Sequence, residues 1–168
     1  MLIMQTDRLA LREVQVDDAE FILALINDPD WIRFIGNKGI HSEQLARDYI
    51  RQGPQQMYLR HGFGLWLVSD RLSRTPMGMC GLIKRDSLED VDLGFAFMPA
   101  FRGQGIAEEA ARACMTFARQ QLGMQRLVAI TTPDNIASGR LLERLGFVLE
   151  GMQPGEDGQP LKLFAISL

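Results

Sequence analysis

The stretch from Val91 to Leu122 restricts this chain more than any other. An apolar run, Val91 to Phe97, breaks at Met98-Pro99 and leads into a short loop, Arg102-Gly103-Gln104-Gly105. Apolar side chains then recur at helical spacing through Ile106, Ala110, Ala113, Cys114, Phe117 and Leu122, and Gly123 ends the run. The following apolar segment, Arg126 to Thr132, reads as a buried strand. A strand, a tight loop, a long helix and a second strand imply a parallel pair joined by a crossover. The two loop glycines let backbone approach a ligand, because no Cβ intervenes. The amides of Gly103, Gln104, Gly105, Ile106 and Ala107 fall at the helix N-terminus, where unpaired N–H groups and the positive dipole end favour an anion such as a diphosphate.

Spacing separates the kinds of phosphate loop. A nucleoside-triphosphate loop needs Lys and then Ser or Thr after its last glycine, but Ile106 and Ala107 follow Gly105. A dinucleotide loop needs a small residue three positions after the second glycine, and Glu108 stands there. The pattern that fits is Arg-x-x-Gly-x-Ala, carried by Arg102, Gly105 and Ala107. So short a pattern also describes a strand-to-helix turn that holds nothing.

The rest of the chain supplies the surroundings. Thr6 to Val14 alternates apolar and polar after Arg8, as a half-buried strand does. Asp17 or Asp18 caps a helix with Ala19, Ile22, Leu23 and Ile26 on one face, stopped at Asn27-Asp28-Pro29-Asp30. Trp31 to Gly39 reads as a short helical turn and loop. Ser42 caps a second helix that uses Leu45, Tyr49 and Ile50 and ends near Gly53-Pro54. Gly62 to Ser69 and Met77 to Lys84 form a hairpin, and an acidic turn from Asp86 to Asp90 precedes the strand at Val91. Asn135 caps a last helix carrying Ala137, Leu141, Leu142 and Leu145, closed by Gly146. Phe147 to Met152 and Leu161 to Leu168 are the final strands. The predicted order is β-α-α-β-β-β-α-β-α-β-β, a mixed-sheet α/β fold of one domain over residues 1–168, with no linker or repeat.

At 168 residues the chain can bury a real core. Its net charge of −3 and lack of a basic stripe argue against nucleic-acid binding. No run is long enough to span a membrane, and Met1 to Glu13 does not read as a signal peptide. Cys80 and Cys114 lie in apolar segments, which fits reduced core thiols in a cytoplasmic protein. His41 and His61 stand alone, and no metal site is expected.

The element order resembles that of the GNAT N-acetyltransferase superfamily along nearly the whole chain. Arg102, Gly105 and Ala107 are similar to its acetyl-coenzyme A loop, and Pro99-x-x-Arg102-Gly103 to the run that enters it. Thr6-Asp7-Arg8-Leu9-Ala10-Leu11-Arg12 resembles the Thr-Glu-Arg-Leu-x-Leu-Arg opening of the RimJ/RimL-type ribosomal-protein acetyltransferase branch. Asp92-Leu93-Gly94-Phe95 resembles the family's fourth strand, Glu-Ile-Gly-Tyr. Asn135-Ile136-Ala137-Ser138, with Leu145-Gly146-Phe147, resembles its Asn-x-x-Ser…Leu-Gly-Phe motif.

The resemblance implies an acetyl-CoA-dependent N-acetyltransferase that moves an acetyl group to a primary amine by direct transfer. The fourth and fifth strands would splay and take the pantetheine arm against backbone groups of Phe95, Ala96 and Phe97. The diphosphate would lie on the amides from Gly103 to Ala107, with Arg102 reaching the cofactor or a nearby carboxylate and Asn135 also approaching the cofactor. Asp92 takes the position of the family's base; being one carbon shorter than Glu, it would act through a water. Many members place a Tyr where Leu142 stands, to protonate the leaving sulfur, so Ser138 is the substitute donor. Trp31, Phe34, Tyr49, Tyr58 and Trp66 are aromatics available to an acceptor pocket or to the core. The acceptor is a protein N-terminus or a small amine, with no membrane or nucleic-acid partner. Family members include homodimers, and exposed C-terminal strand edges are the surface for such pairing. Leu142 and the shortened Asp92 keep open a second reading, an inactive acyl-CoA-binding sensor or scaffold.

Overall fold

A computed structural model describes residues 1–168. Its strands are β1 (Leu2–Gln5), β2 (Leu9–Glu13), β3 (Leu65–Asp70), β4 (Pro76–Ile83), β5 (Asp92–Phe97), β6 (Arg126–Thr131), β7 (Val148–Pro154) and β8 (Pro160–Ser167). Its helices are α1 (Ala19–Ile26), α2 (Pro29–Phe34), α3 (Glu43–Gln52), α4 (Pro54–His61), α5 (Ile106–Gln120) and α6 (Ile136–Leu145). The strands form one sheet in the order β1-β2-β3-β4-β5-β6-β8-β7. Every neighbouring pair is antiparallel except β5 and β6. The mixed α/β class and the parallel crossover read from the sequence are what the chain forms.

The period-two alternation of β3 and β4 sends side chains to two cores. Trp66, Val68, Cys80 and Leu82 join Ala110, Cys114, Leu141 and Leu142 beneath α5 and α6. Leu67 and Met79 join Ile22, Leu25, Ala46 and Ile50 beneath α1 and α3. Leu45, expected on the buried face of α3, is 46% exposed, and Ala46 is buried in its place beside Ile50. A one-residue step turns a helix face by about 100°.

Three elements are added to the predicted order, and one of them, α2, is the short helical turn expected from Trp31, begun two residues earlier at Pro29. β1 precedes the first expected strand and pairs with β2, so the strand read as the fourth is β5. Its run Leu2-Ile3-Met4 carries no alternation that periodicity would reveal. α4 follows α3 after a single residue, Gly53. Gly53-Pro54 had the look of a terminator, but Pro54 sits at the first turn of a new helix, where its missing N–H costs nothing. Gly62 closes that helix at φ +77°.

β5 and β6 share one register pair, Asp92 with Val128, and Val128 N donates to Val91 O at 3.0 Å. At this closed end Arg126 holds Asp90 at 3.0 Å and Glu150 at 2.6 Å. Beyond it the two strands separate, and the sheet opens between their C-terminal ends.

Candidate active site

The opening between β5 and β6 is part of a cleft of about 1540 Å³. All four buried side-chain polar atoms without a partner line it: Trp31 Nε1, Asp92 Oδ1, Thr131 Oγ1 and Thr132 Oγ1. Buried polar groups are nearly always paired, so this clustering marks the place built to meet another molecule. Thr131 and Thr132 were not singled out in the sequence. Their only signal there is position, at the end of a buried strand facing the glycine loop.

The loop supplies donors. Gly103 and Gly105 adopt left-handed φ of +74° and +76°, which glycine takes without a Cβ penalty. The amide of Arg102 is occupied by Pro99 O at 3.2 Å, whereas the next amide to donate within the chain is that of Glu109, to Gly105 O. The amides of Gly103, Gln104, Gly105, Ile106, Ala107 and Glu108 therefore have no internal acceptor. They gather at the N-terminus of α5, a helix of 15 residues, where backbone donors and dipole favour an anion. Gln104 is the one loop residue that does not line the cleft, and its side chain turns back to Ala100 O at 3.0 Å.

Arg102 does not lie over the loop. It donates to Asp28 at 2.9 Å, to Asp30, and to Phe97 O at 2.8 and 3.1 Å. Of the two roles open to it, cofactor or nearby carboxylate, the structure places it on the carboxylates. It ties the α1–α2 junction to the end of β5.

The open edge of β5 follows from strand parity. Met98 N donates to Met77 O across the β4 side, and the β4–β5 register has no bulge. Backbone groups therefore alternate: those of Leu93, Phe95 and Phe97 turn away from β4, Leu93 toward Val128 at the closed end and Phe95 and Phe97 toward the opening. Phe95 keeps both its N–H and C=O free there, and Phe97 keeps its N–H because Arg102 occupies its oxygen. The expectation for Ala96 is corrected: its backbone groups pair with β4, and its methyl packs on the α1–α3 side.

Asp92 begins β5 at the closed end of the opening, 1% exposed. Its Oδ2 accepts from Arg85 Nε at 2.8 Å and its Oδ1 has no partner. Burial pushes its carboxyl above the ordinary range, while Arg85 and Lys84 pull it back. Tyr49, also on the cleft wall, is held at about 12 by burial against the opposing pull of Arg85.

Asn135 caps α6, as expected, accepting from Ser138 N at 3.3 Å. Ser138 lies half-buried in the first turn on the cleft wall, and Leu142 lies one turn deeper. Among the aromatics, Trp31, Phe34 and Tyr49 line the cleft. Tyr58 is a strut: its hydroxyl accepts from Val14 N at 3.0 Å and donates to Leu65 O. Trp66 is core, packed edge-on to Phe117. Cys80 and Cys114 are buried free thiols with sulfurs 3.7 Å apart, and burial raises the Cys114 thiol well above its usual range.

Comparison with known proteins agrees with this architecture. The acetyltransferase (GNAT) domain profile matches residues 8–148. YdaF of Bacillus subtilis, provisionally described as a ribosomal N-acetyltransferase, is 31% identical over 86% of this chain and 80% of its own length. The uncharacterized N-acetyltransferase YoaA of the same organism is 28% identical over 89% of this chain and 85% of its own. Among solved structures, RimL, a ribosomal L7/L12 alpha-N-protein acetyltransferase crystallised with coenzyme A, superimposes at a TM-score of 0.85. That match covers 100% of this chain and 98% of RimL at 19% identity. The Bacillus anthracis GNAT acetyltransferase gives 0.81 at 22% identity, over 99% and 98%. The chain belongs to the GNAT family of acetyltransferases.

Proposed function

We propose that this enzyme transfers the acetyl group of acetyl-CoA directly to a primary amine, with both substrates bound in the cleft. The observation that carries this reading is the open seam between β5 and β6, bordered by six unpaired amides of the α5 loop. The amides from Gly103 to Glu108 suit a diphosphate. The free edge at Phe95 and Phe97 suits an extended amide-bearing arm, which would pair as an added strand does. Acetyl-CoA supplies an activated acyl thioester.

The protein's own work is to align two reactants and move protons. Alignment removes much of the entropic barrier. Asp92 Oδ1, buried and unpaired, accepts the proton that the amine nitrogen loses as its bond to carbon forms, through a water. Ser138 donates to the sulfur as the carbon–sulfur bond breaks, and is reprotonated from solvent. Trp31, Phe34 and Tyr49 form the acceptor wall on the α1–α3 side.

The acceptor is a protein N-terminus or a small amine. The names of YdaF and RimL favour a protein N-terminus, and this is tested by following free-thiol release from acetyl-CoA with N-terminal peptides and with polyamines, amino acids and aminoglycosides. Turnover restricted to peptides establishes the first acceptor and turnover restricted to small amines the second. Absence of turnover with every amine contradicts the reading as a transferase.

A further inference from the structure

Outside the cleft, the β1–β2 turn grips the back of the glycine loop. The turn is closed by Thr6 N to Leu9 O at 2.9 Å and by Leu9 N to Thr6 Oγ1 at 3.0 Å. Arg8 is fixed at both backbone ends: its N–H donates to Glu109 Oε2 at 3.1 Å and its C=O accepts from Arg71 N at 2.8 Å. Its guanidinium then spans two groups. Nε meets Glu109 Oε1 at 2.7 Å, and Nη1 donates to Gln104 O at 2.9 Å. Thr6 Oγ1 also donates to Glu109.

The bond to Gln104 O has a consequence across the peptide. In a trans peptide the C=O of one residue and the N–H of the next point in opposite directions. With Gln104 O turned toward Arg8, the Gly105 N–H points away from it. Gly105 lines the cleft, and neither Gln104 nor Arg8 does. The Gly105 amide is thus aimed at the side where the anion is expected. Glu109, in the first turns of α5, carries a charge that would repel an anion there. Burial pushes its carboxyl up, but bonds from Thr6 and Arg8 outweigh this and keep it below the ordinary range. The ionised carboxylate is neutralised by Arg8 at short distance.

We propose that Arg8 is a positioning residue for the diphosphate loop: from behind the loop it sets the Gln104–Gly105 peptide so that the Gly105 N–H faces the anion, and it neutralises Glu109. The proposal rests on the reading that this loop takes the diphosphate of acetyl-CoA. It gives a physical role to the Thr6-x-Arg8 opening of the chain, which the transfer chemistry leaves unused.

The test compares acetyl-CoA with S-acetylpantetheine, which carries the same thioester arm without the diphosphate. The readout is the ratio of their dissociation constants, measured beside Tm. Arg8→Ala lowers the preference for acetyl-CoA by about tenfold, the scale of a charge-assisted hydrogen bond. Arg8→Lys keeps the charge on a single nitrogen that does not span Glu109 and Gln104 O together, and it recovers little of the preference. Thr6→Val breaks the bonds to Glu109 and Leu9 without touching Gln104 O, and it lowers Tm with the preference unchanged. A wild-type ratio in Arg8→Ala, or full recovery in Arg8→Lys, overturns the proposal. A wild-type protein that binds both compounds equally overturns the loop reading itself, and the two failures are distinct.

Discussion

Asp92 and Val128 are the one pair through which β5 and β6 meet in register. The strand that carries the proposed base is therefore also the strand whose edge opens. Asp92 sits at the vertex, and the backbone of Phe95 and Phe97 lies along the open arm. Two features read separately from the sequence, a carboxylate and a splayed strand, are one local device.

Replacing Asp92 with Asn removes the proposed base. The expected loss in kcat/KM is about 10²- to 10⁴-fold. Burial raises the Asp92 carboxyl above the ordinary carboxylate range. A base works only when deprotonated, so the acid limb of the wild-type rate profile lies above the range of an ordinary carboxylate and is absent in Asp92→Asn. The linked stability has a definite sign. A raised folded-state pKa contributes stability that is complete below the unfolded value and is lost as pH rises through the folded one. The Tm of Asp92→Asn relative to wild type therefore increases with pH. A rate profile identical in the two proteins contradicts the assignment.

Ser138→Ala tests protonation of the leaving sulfur. In the proposed mechanism the hydroxyl acts only as the carbon–sulfur bond breaks. The variant should lose about tenfold or more in kcat while its affinity for acetyl-CoA stays at the wild-type value. Equal kcat in the two proteins assigns Ser138 to helix structure alone.

Gly105 tests the loop. Its φ of +76° strains any β-branched side chain, and a Cβ there lies 3.4 Å from Arg8 Nη2. Gly105→Val should weaken acetyl-CoA binding by more than about tenfold, because left-handed strain of about 1–2 kcal/mol adds to crowding of Arg8 behind the loop. Gly103→Ala meets no atom within 4 Å and carries the backbone cost alone. Isothermal titration of the two variants should rank Gly105→Val well below Gly103→Ala.

Arg102 separates scaffold from ligand binding. Its removal leaves Asp28, 8% exposed, without its cation. Arg102 is itself 40% exposed, so the loss is about 1–3 kcal/mol rather than that of a fully buried pair. Arg102→Ala should lower the denaturation midpoint more than it weakens acetyl-CoA binding. The reverse order would return Arg102 to the cofactor.

The site was legible wherever local chemistry demanded particular residues. Gly103 and Gly105 announced a loop open to close approach, Asn135 a helix cap, and Asp92 a carboxylate in an apolar strand. What the sequence hid depended on tertiary partners. Arg102 chose between a ligand and a carboxylate only once Asp28 and Asp30 stood beside it. Ala96 looked like an edge residue until the β4 register assigned its backbone groups. Thr131 and Thr132 became conspicuous only because nothing in the folded chain pairs them. α4 was concealed because Gly53-Pro54 ends one helix and begins another with the same two residues.

The most direct measurement is calorimetric titration of acetyl-CoA into the purified protein, with ATP and NAD as controls. Saturable binding of acetyl-CoA at micromolar concentration is expected, with silence from both controls. Absence of acetyl-CoA binding, or equal binding of ATP, would contradict the assignment of the α5 loop and every catalytic role built on it.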